Sequence, residues 1–173
     1  MSEIFKKLKG GDLRSIGNVD EVISDILKKE SLFAEFFEGM LNENALIRMR
    51  AADAIEKISR TNPEYLQPFK IRLINDVSKV EQQEVRWHVA QMLPRLDLHK
   101  EEVPQIFDLL MHWIESSNSR IVKVNSLQGL ADIAEKYPDF KALVISKVED
   151  VIVNGSPAMV SRGKKLIRKL SEK

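Results

Sequence analysis

Trp87 and His88 stand side by side in a polar stretch, with Gln91 one turn further on. An aromatic ring beside polar groups is the usual composition of a recognition hot spot. Residues in the same register recur along the chain as Arg50 and Asp53, Asn125 and Gln128, and Arg162 and Lys165. Together with Trp87, His88 and Gln91 they form the candidate set for binding a protein or peptide. The competing reading is plainer: any amphipathic helix has a solvated face, and these stripes are that face. A third stripe, Lys57, Arg95, Asp132 and Lys169, follows one turn later.

Candidates for covalent or metal chemistry are scarce. The chain has no cysteine, which excludes disulfides, thiolate zinc sites, iron–sulfur clusters and thiol nucleophiles. His88, His99 and His112 share neither a helical face nor a metal-ligand spacing, so no metal and no cofactor is expected. No carboxylate pair stands out as a general acid and base, no serine lies in a nucleophile elbow, and an isolated Asp53 on a polar face reads as a salt-bridge partner. The stretch Gly10-Gly11-Asp12-Leu13-Arg14-Ser15-Ile16-Gly17-Asn18 matches no phosphate-binding loop. It reads as a turn between a short helix, Ser2 to Lys9, and a second one over Val19 to Lys28, with Asn18 and Glu21 suited to a capping box. An end-of-stack contact through Asp12, Arg14 and Ser15 is the alternative. The expectation is therefore a protein that is not an enzyme.

The elements that position these residues come from an internal repeat. Ile47, Ala51, Ile55 and Ile58 lie on one helical face, and a shift of 38 residues reaches Val85, Val89, Leu93 and Leu96. Shifts of a further 37 and 37 reach Val122, Ser126, Leu130 and Ile133, then Met159, Gly163, Ile167 and Leu170. Small residues recur at mid-helix, as Ala51-Ala52, Val89-Ala90, Ser126 and Gly163, and would let neighbouring helices approach closely. A basic residue follows the first apolar anchor in three copies, Arg48, Arg86 and Lys123, and reads as structural, reaching turn carbonyls or helix ends. Each of these helices follows another apolar segment: Leu32–Leu41, Tyr65–Val77, Val103–Ile114 and Phe140–Val153. In the last three, Phe69, Ile106 and Leu143 align. Short polar links between the two members force antiparallel pairs. Pro63 and Pro138 suit the first turn of the next helix, Asn62 suits an N-cap, Pro68 falls early in its helix, and Pro94 should kink a second helix.

Helix pairs repeating every 37 or 38 residues predict an all-α, α-α superhelix. The chain is expected to be one domain over 1–173, with a helical cap over 1–30 and repeats near 31–61, 62–98, 99–136 and 137–173. The pattern of an apolar residue, a basic residue, paired small residues and two further apolar positions, as in Ile47-Arg48, Ala51-Ala52, Ile55 and Ile58, resembles the second helix of HEAT repeats. The run from Glu84 to Pro94 resembles bacterial HEAT-like proteins of unassigned function. The resemblance implies a solenoid of about four antiparallel pairs whose second helices line a concave surface, most often used to hold proteins and in one branch to grip alkylated DNA. The acidic turn residue common in that family is replaced here by Asn44, by Gln82 or Gln83, and by Asn118, which puts any ladder from turn acid to helix arginine in doubt.

Charge and hydropathy narrow the function. The 27 basic and 26 acidic residues leave a net charge of +1, too balanced for a protein that neutralises many phosphates. The balance is uneven: Gly155 to Lys173 holds six basic residues against Glu172, a net +5, and the remaining 21 against 25 give −4. No apolar run approaches a membrane span, and Met1 to Gly10 lacks the core of a secretory signal, so the expectation is a soluble, cytoplasmic monomer without membrane contact. The leading function is a non-catalytic scaffold for a protein or peptide. The runner-up is nucleic-acid binding or the glycosylase activity of HEAT-like DNA-repair enzymes, for which Trp87 and Asp53 are the only analogues by residue type. A bilin-holding scaffold comes third, without a loop that singles out a tetrapyrrole.

Overall fold

The computed structural model describes residues 18–172 together with Phe5 and Leu8. Among them the secondary structure is helical throughout, and the chain divides into two compact units, Met1–Leu96 and Asp97–Lys173. A single domain over 1–173 is the simpler expectation from a continuous repeat; the division falls within two residues of the repeat boundary placed between 98 and 99.

In the first unit, α1 (Val19–Lys28) and α2 (Ser31–Glu38, extended by a 3-10 turn Gly39–Leu41) precede α3 (Ala45–Thr61). A 3-10 segment Pro63–Phe69 leads into the short α4 (Lys70–Asn75), a further turn Val77–Lys79, and α5 (Gln83–Met92). Helix α3 is the centre of this unit, packing against α1, α2 and α5. Its small residues allow this: Ala51, Ala52 and Ala54 are fully buried, and Gly39 lies so close that an added Cβ would stand 2.9 Å from the Ala51 Cβ. On the first-helix side, Phe37 stacks on Phe69 at 4.6 Å and Phe5 on Phe36 at 5.6 Å.

The second unit holds two helix pairs, α6 (Val103–Ser116) with α7 (Arg120–Lys136), and α8 (Lys141–Asn154) with α9 (Pro157–Ser171). Helix α7 also packs on α9, as second helices do in a stack of pairs. An added Cβ on Gly163 would stand 2.9 Å from Ile152 Cγ1, so the small residue at this position sets how closely α8 and α9 approach.

The repeat register holds well. Every second-helix anchor is buried except the half-buried Ile167, because the spacing of those anchors is the contact face itself. Four details differ from expectation. Asn62 caps no helix start with its side chain; it ends α3, and its amide bonds Glu64 at 3.2 Å. Asn18 makes no side-chain cap either. Pro94 does not kink its helix: α5 ends at Met92 and a 3-10 turn, Leu93–Arg95, takes over, since proline is compatible with the first residues of a new turn but not with the interior of an α-helix. Leu143 is 59% exposed while Val144 is fully buried, so the first helix of the last repeat is rotated by one residue from the expected alignment. The short helix over Ser2 to Lys9 and the Gly10–Gly17 loop lie outside the described residues, apart from the buried Phe5 and Leu8.

The basic residues after the first anchor act structurally. Arg48 donates to the carbonyls of Asn42 at 2.7 Å and Glu43 at 3.0 Å, Arg86 to that of Val80 at 3.1 Å, and Lys123 to that of Glu115 at 3.5 Å. Arg48 and Arg86 thus satisfy carbonyls in the link preceding their own helices, and Lys123 one in the last turn of α6. Gln82 does the work of the missing turn acid, accepting from Arg48 Nε at 2.8 Å and donating to the Ala45 carbonyl at 2.9 Å. At this one step a neutral amide stands in place of a carboxylate.

Candidate functional site

The nine candidate residues fall on four second helices, two in each unit. On α3, Arg50 is fully buried and donates from Nη1 to the Leu8 carbonyl. This corrects the exposed placement expected for it: in the first repeat the flank of α3 that would face solvent is covered by Leu8 and by α1, whose Asp20 lies 3.8 Å from Lys57. Asp53 is mostly covered and pairs with Lys57 at 2.9 Å.

On α5, His88 is also buried, at 8% exposure, and is not a surface residue. Its Nε2 lies 3.8 Å from Asp53 Oδ1, beyond hydrogen-bond reach. Burial drives its pKa down to about 4, outweighing the pull of the Asp53 and Glu56 carboxylates in the opposite direction. At neutral pH the imidazole is uncharged, a wedge between α3 and α5. Trp87 is half-buried, its ring 5.6 Å from that of His88 and tilted by 58°. Gln91 is half-buried too and returns its amide to the Trp87 carbonyl at 3.2 Å.

In the second unit the same register is more open. Asn125 and Gln128 on α7 and Arg162 on α9 are half-buried, and Lys165 is exposed. Arg162 donates to Gln128 at 2.7 Å, Gln128 donates to Asp132 at 2.8 Å, and Asn125 bonds the Ile121 carbonyl of its own helix at 3.0 Å.

These contacts follow one rule in both units. The first-stripe residue of the later repeat faces the second-stripe residue of the earlier one: Arg162 bonds Gln128, while the neutral His88 only packs beside Asp53. The third-stripe cation of the later repeat meets an acid of the earlier one: Arg95 reaches Glu56 at 2.6 Å, and Lys169 reaches Asp132 at 3.5 Å and Glu135 at 2.9 Å. Within each unit, therefore, the polar stripes are rungs joining adjacent second helices.

Glu56 is the residue that sequence reasoning missed. Fully buried, it accepts from Arg60 at 2.6 and 2.9 Å and from Arg95 at 2.6 Å, while Arg95 also donates to the Glu56 carbonyl and to Ser59 Oγ. Burial alone would raise its pKa, but hydrogen bonds and charge from Arg60 and Arg95 together hold it below the usual value. A signal was available in the spacing of Glu56 and Arg60, four residues apart. Nothing local points to Arg95, which lies 39 residues away.

The second unit also has a polar cleft of about 480 Å³ beside the links of its two pairs, lined by Arg120, Lys123, Glu115 and Asp150 among others. Lys147 spans it, 3.1 Å from Glu115 and 3.9 Å from Asp150. Among the described residues no group of three or more His, Asp or Glu side chains could hold a metal ion.

Residues 7–164 match the model of the HEAT repeat domain. The chain belongs to this family. Its all-α architecture is that of a HEAT-like solenoid, and the match crosses both units. No curated protein and no solved structure matches it. The HEAT repeats account for the rungs: stacked pairs have only nearest neighbours, so the polar groups of one second helix meet those of the next. Among the described residues, no helix is long and apolar enough to cross a membrane.

Proposed function

We propose that this HEAT-repeat protein is a non-catalytic scaffold, monomeric and cytoplasmic, that recognises a protein or peptide on the polar faces of its second helices. The observation that carries the reading is the rung pattern. Glu56 and Arg95 in one unit, and Gln128 with Arg162 and Asp132 with Lys169 in the other, are bonded to each other across adjacent repeats, and His88 packs beside Asp53 without bonding it. Such groups hold a surface in shape. They do not present a base and a nucleophile to a substrate, and the one strongly shifted imidazole is explained by its burial.

The side chains left to meet a partner are Trp87 and Gln91 in the first unit, and Asn125 and Lys165 in the second. Arg50 and His88 are buried, and their loss would open the core. Two variants, Trp87→Ala with Gln91→Ala and Asn125→Ala with Lys165→Glu, are compared with the unaltered protein in quantitative affinity capture, with circular dichroism as the control for folding. At least one partner should fall by about tenfold or more, the loss expected when an aromatic anchor is truncated. Partner lists unchanged in both variants would overturn this reading.

A further inference from the structure

On the first-helix side of the first unit lies a cleft of about 430 Å³ whose lining includes Phe33, Tyr65, Pro68 and Phe69, with Glu30 and Glu64. Phe33 comes from α2, and Tyr65 and Phe69 from the 3-10 segment that follows α3. The Phe33 ring meets Tyr65 edge-on at 5.4 Å and 82°, and Phe69 at 5.6 Å and 49°. Three rings so oriented make a corner, not a stack. Phe37, stacked on Phe69 at 25°, holds one wall of it. Phe33 is buried while Tyr65 and Phe69 remain half-exposed.

Among the described residues the charges in this cleft have one sign: no Lys, Arg or His lines it, and the two carboxylates that do are exposed. Glu64 accepts an amide bond from Asn62, and Glu30 has no ion-pair partner among the described residues. Ring faces carry the negative lobe of the aromatic quadrupole, so rings and carboxylates together favour a cation with an apolar stem and disfavour an anion. The volume is that of a site for a side chain and its flanking backbone.

We propose that this cleft binds a lysine or arginine side chain of a basic peptide segment, with the half-exposed rings of Tyr65 and Phe69 against its stem and cation, the buried Phe33 ring backing them, and Glu30 and Glu64 pairing its charge. The inference goes beyond the second-helix reading: it uses other residues on other elements, so either can fail without the other.

The probe is a synthetic hexapeptide of alternating leucine and arginine, titrated into the full-length, nitrogen-15-labelled protein and followed by nuclear magnetic resonance. Its counterpart carries citrulline, which keeps the shape of arginine and removes the charge. Saturable shifts centred on 30–34 and 64–69 are expected, with the citrulline peptide weaker by about tenfold. Glu30→Gln with Glu64→Gln should weaken the arginine peptide by a similar factor. Tyr65→Phe should leave it within about twofold, since the ring and not the hydroxyl does the binding, whereas Tyr65→Ala should not. All substituted positions are at least partly exposed, and circular dichroism verifies that each variant folds. Equal binding of the citrulline peptide, or shifts centred elsewhere, would overturn the proposal.

Discussion

His88 sits where burial and charge oppose each other, and burial wins. Its pKa is lowered from 6.5 to about 4 in the folded protein, so between these values the unfolded chain binds a proton that the native state refuses. Stability therefore rises with pH across that window and is lost as pH falls from about 6.5 toward 4. The drop attributable to this one residue is on the order of 3 kcal/mol. Glu56 acts in the same direction but lower: its pKa is depressed below 4.5 by Arg60 and Arg95, against the effect of burial, so its contribution is lost only under more acid conditions. The two can be separated. Urea unfolding at a series of pH values should show a slope between pH 6.5 and 4 that His88→Phe removes, while the steeper loss below pH 4.5 persists. An unchanged slope in His88→Phe would mean that other groups set the acid sensitivity.

Among the elements, the α8–α9 pair gives the clearest case of a small residue with a packing reason. A glycine inside a helix costs about 1 kcal/mol relative to alanine, so Gly163→Ala would stabilise α9 if the site were open. It is not open: the new Cβ would lie 2.9 Å from Ile152 Cγ1, on a β-branched side chain that has little rotamer freedom in a helix. The clash outweighs the propensity gain, and Gly163→Ala should lower stability by about 1–2 kcal/mol. In a background of Ile152→Ala the same substitution should become neutral or favourable, a sign change that a double-mutant cycle in thermal unfolding reads directly. The position was legible in the sequence because it falls where Ala51, Val89 and Ser126 fall in the other repeats. The polar stripes were only half legible. Periodicity places Arg50, His88 and Arg162 in one register, yet Arg50 is sealed by Leu8, His88 is wedged against α3, and Arg162 is half-open. Which of these a given repeat presents depends on what covers its flank, and a helical period carries no record of that cover. Glu56 shows the same limit: its second arginine arrives from the next repeat.

At the scale of the whole molecule, the sequence charge divides into −4 over most of the chain and +5 from Gly155 onward, and the rungs decide how much of that positive end is available. Lys169 is held between Asp132 and Glu135, which raise its pKa and neutralise it. Arg162 is bonded to the neutral Gln128 and keeps its charge, while Lys164, Lys165 and Arg168 are exposed. About four cations of α9 are thus free to neutralise phosphates. Each phosphate contact contributes about 0.9 to the slope of log affinity against log salt, so any binding to duplex DNA through this end should show a slope no steeper than about −4. Between 50 and 200 mM salt that amounts to a loss of about 150-fold. A protein that grips DNA along its length makes six to ten such contacts and loses about 10³- to 10⁵-fold over the same interval. Fluorescence anisotropy with a labelled duplex across that salt range distinguishes the two. The expected result is weak binding with the shallow slope, reduced further by Lys165→Glu with Arg168→Glu; a slope of −6 or steeper would require a basic surface beyond α9 and would favour nucleic acid over protein as the ligand of these repeats.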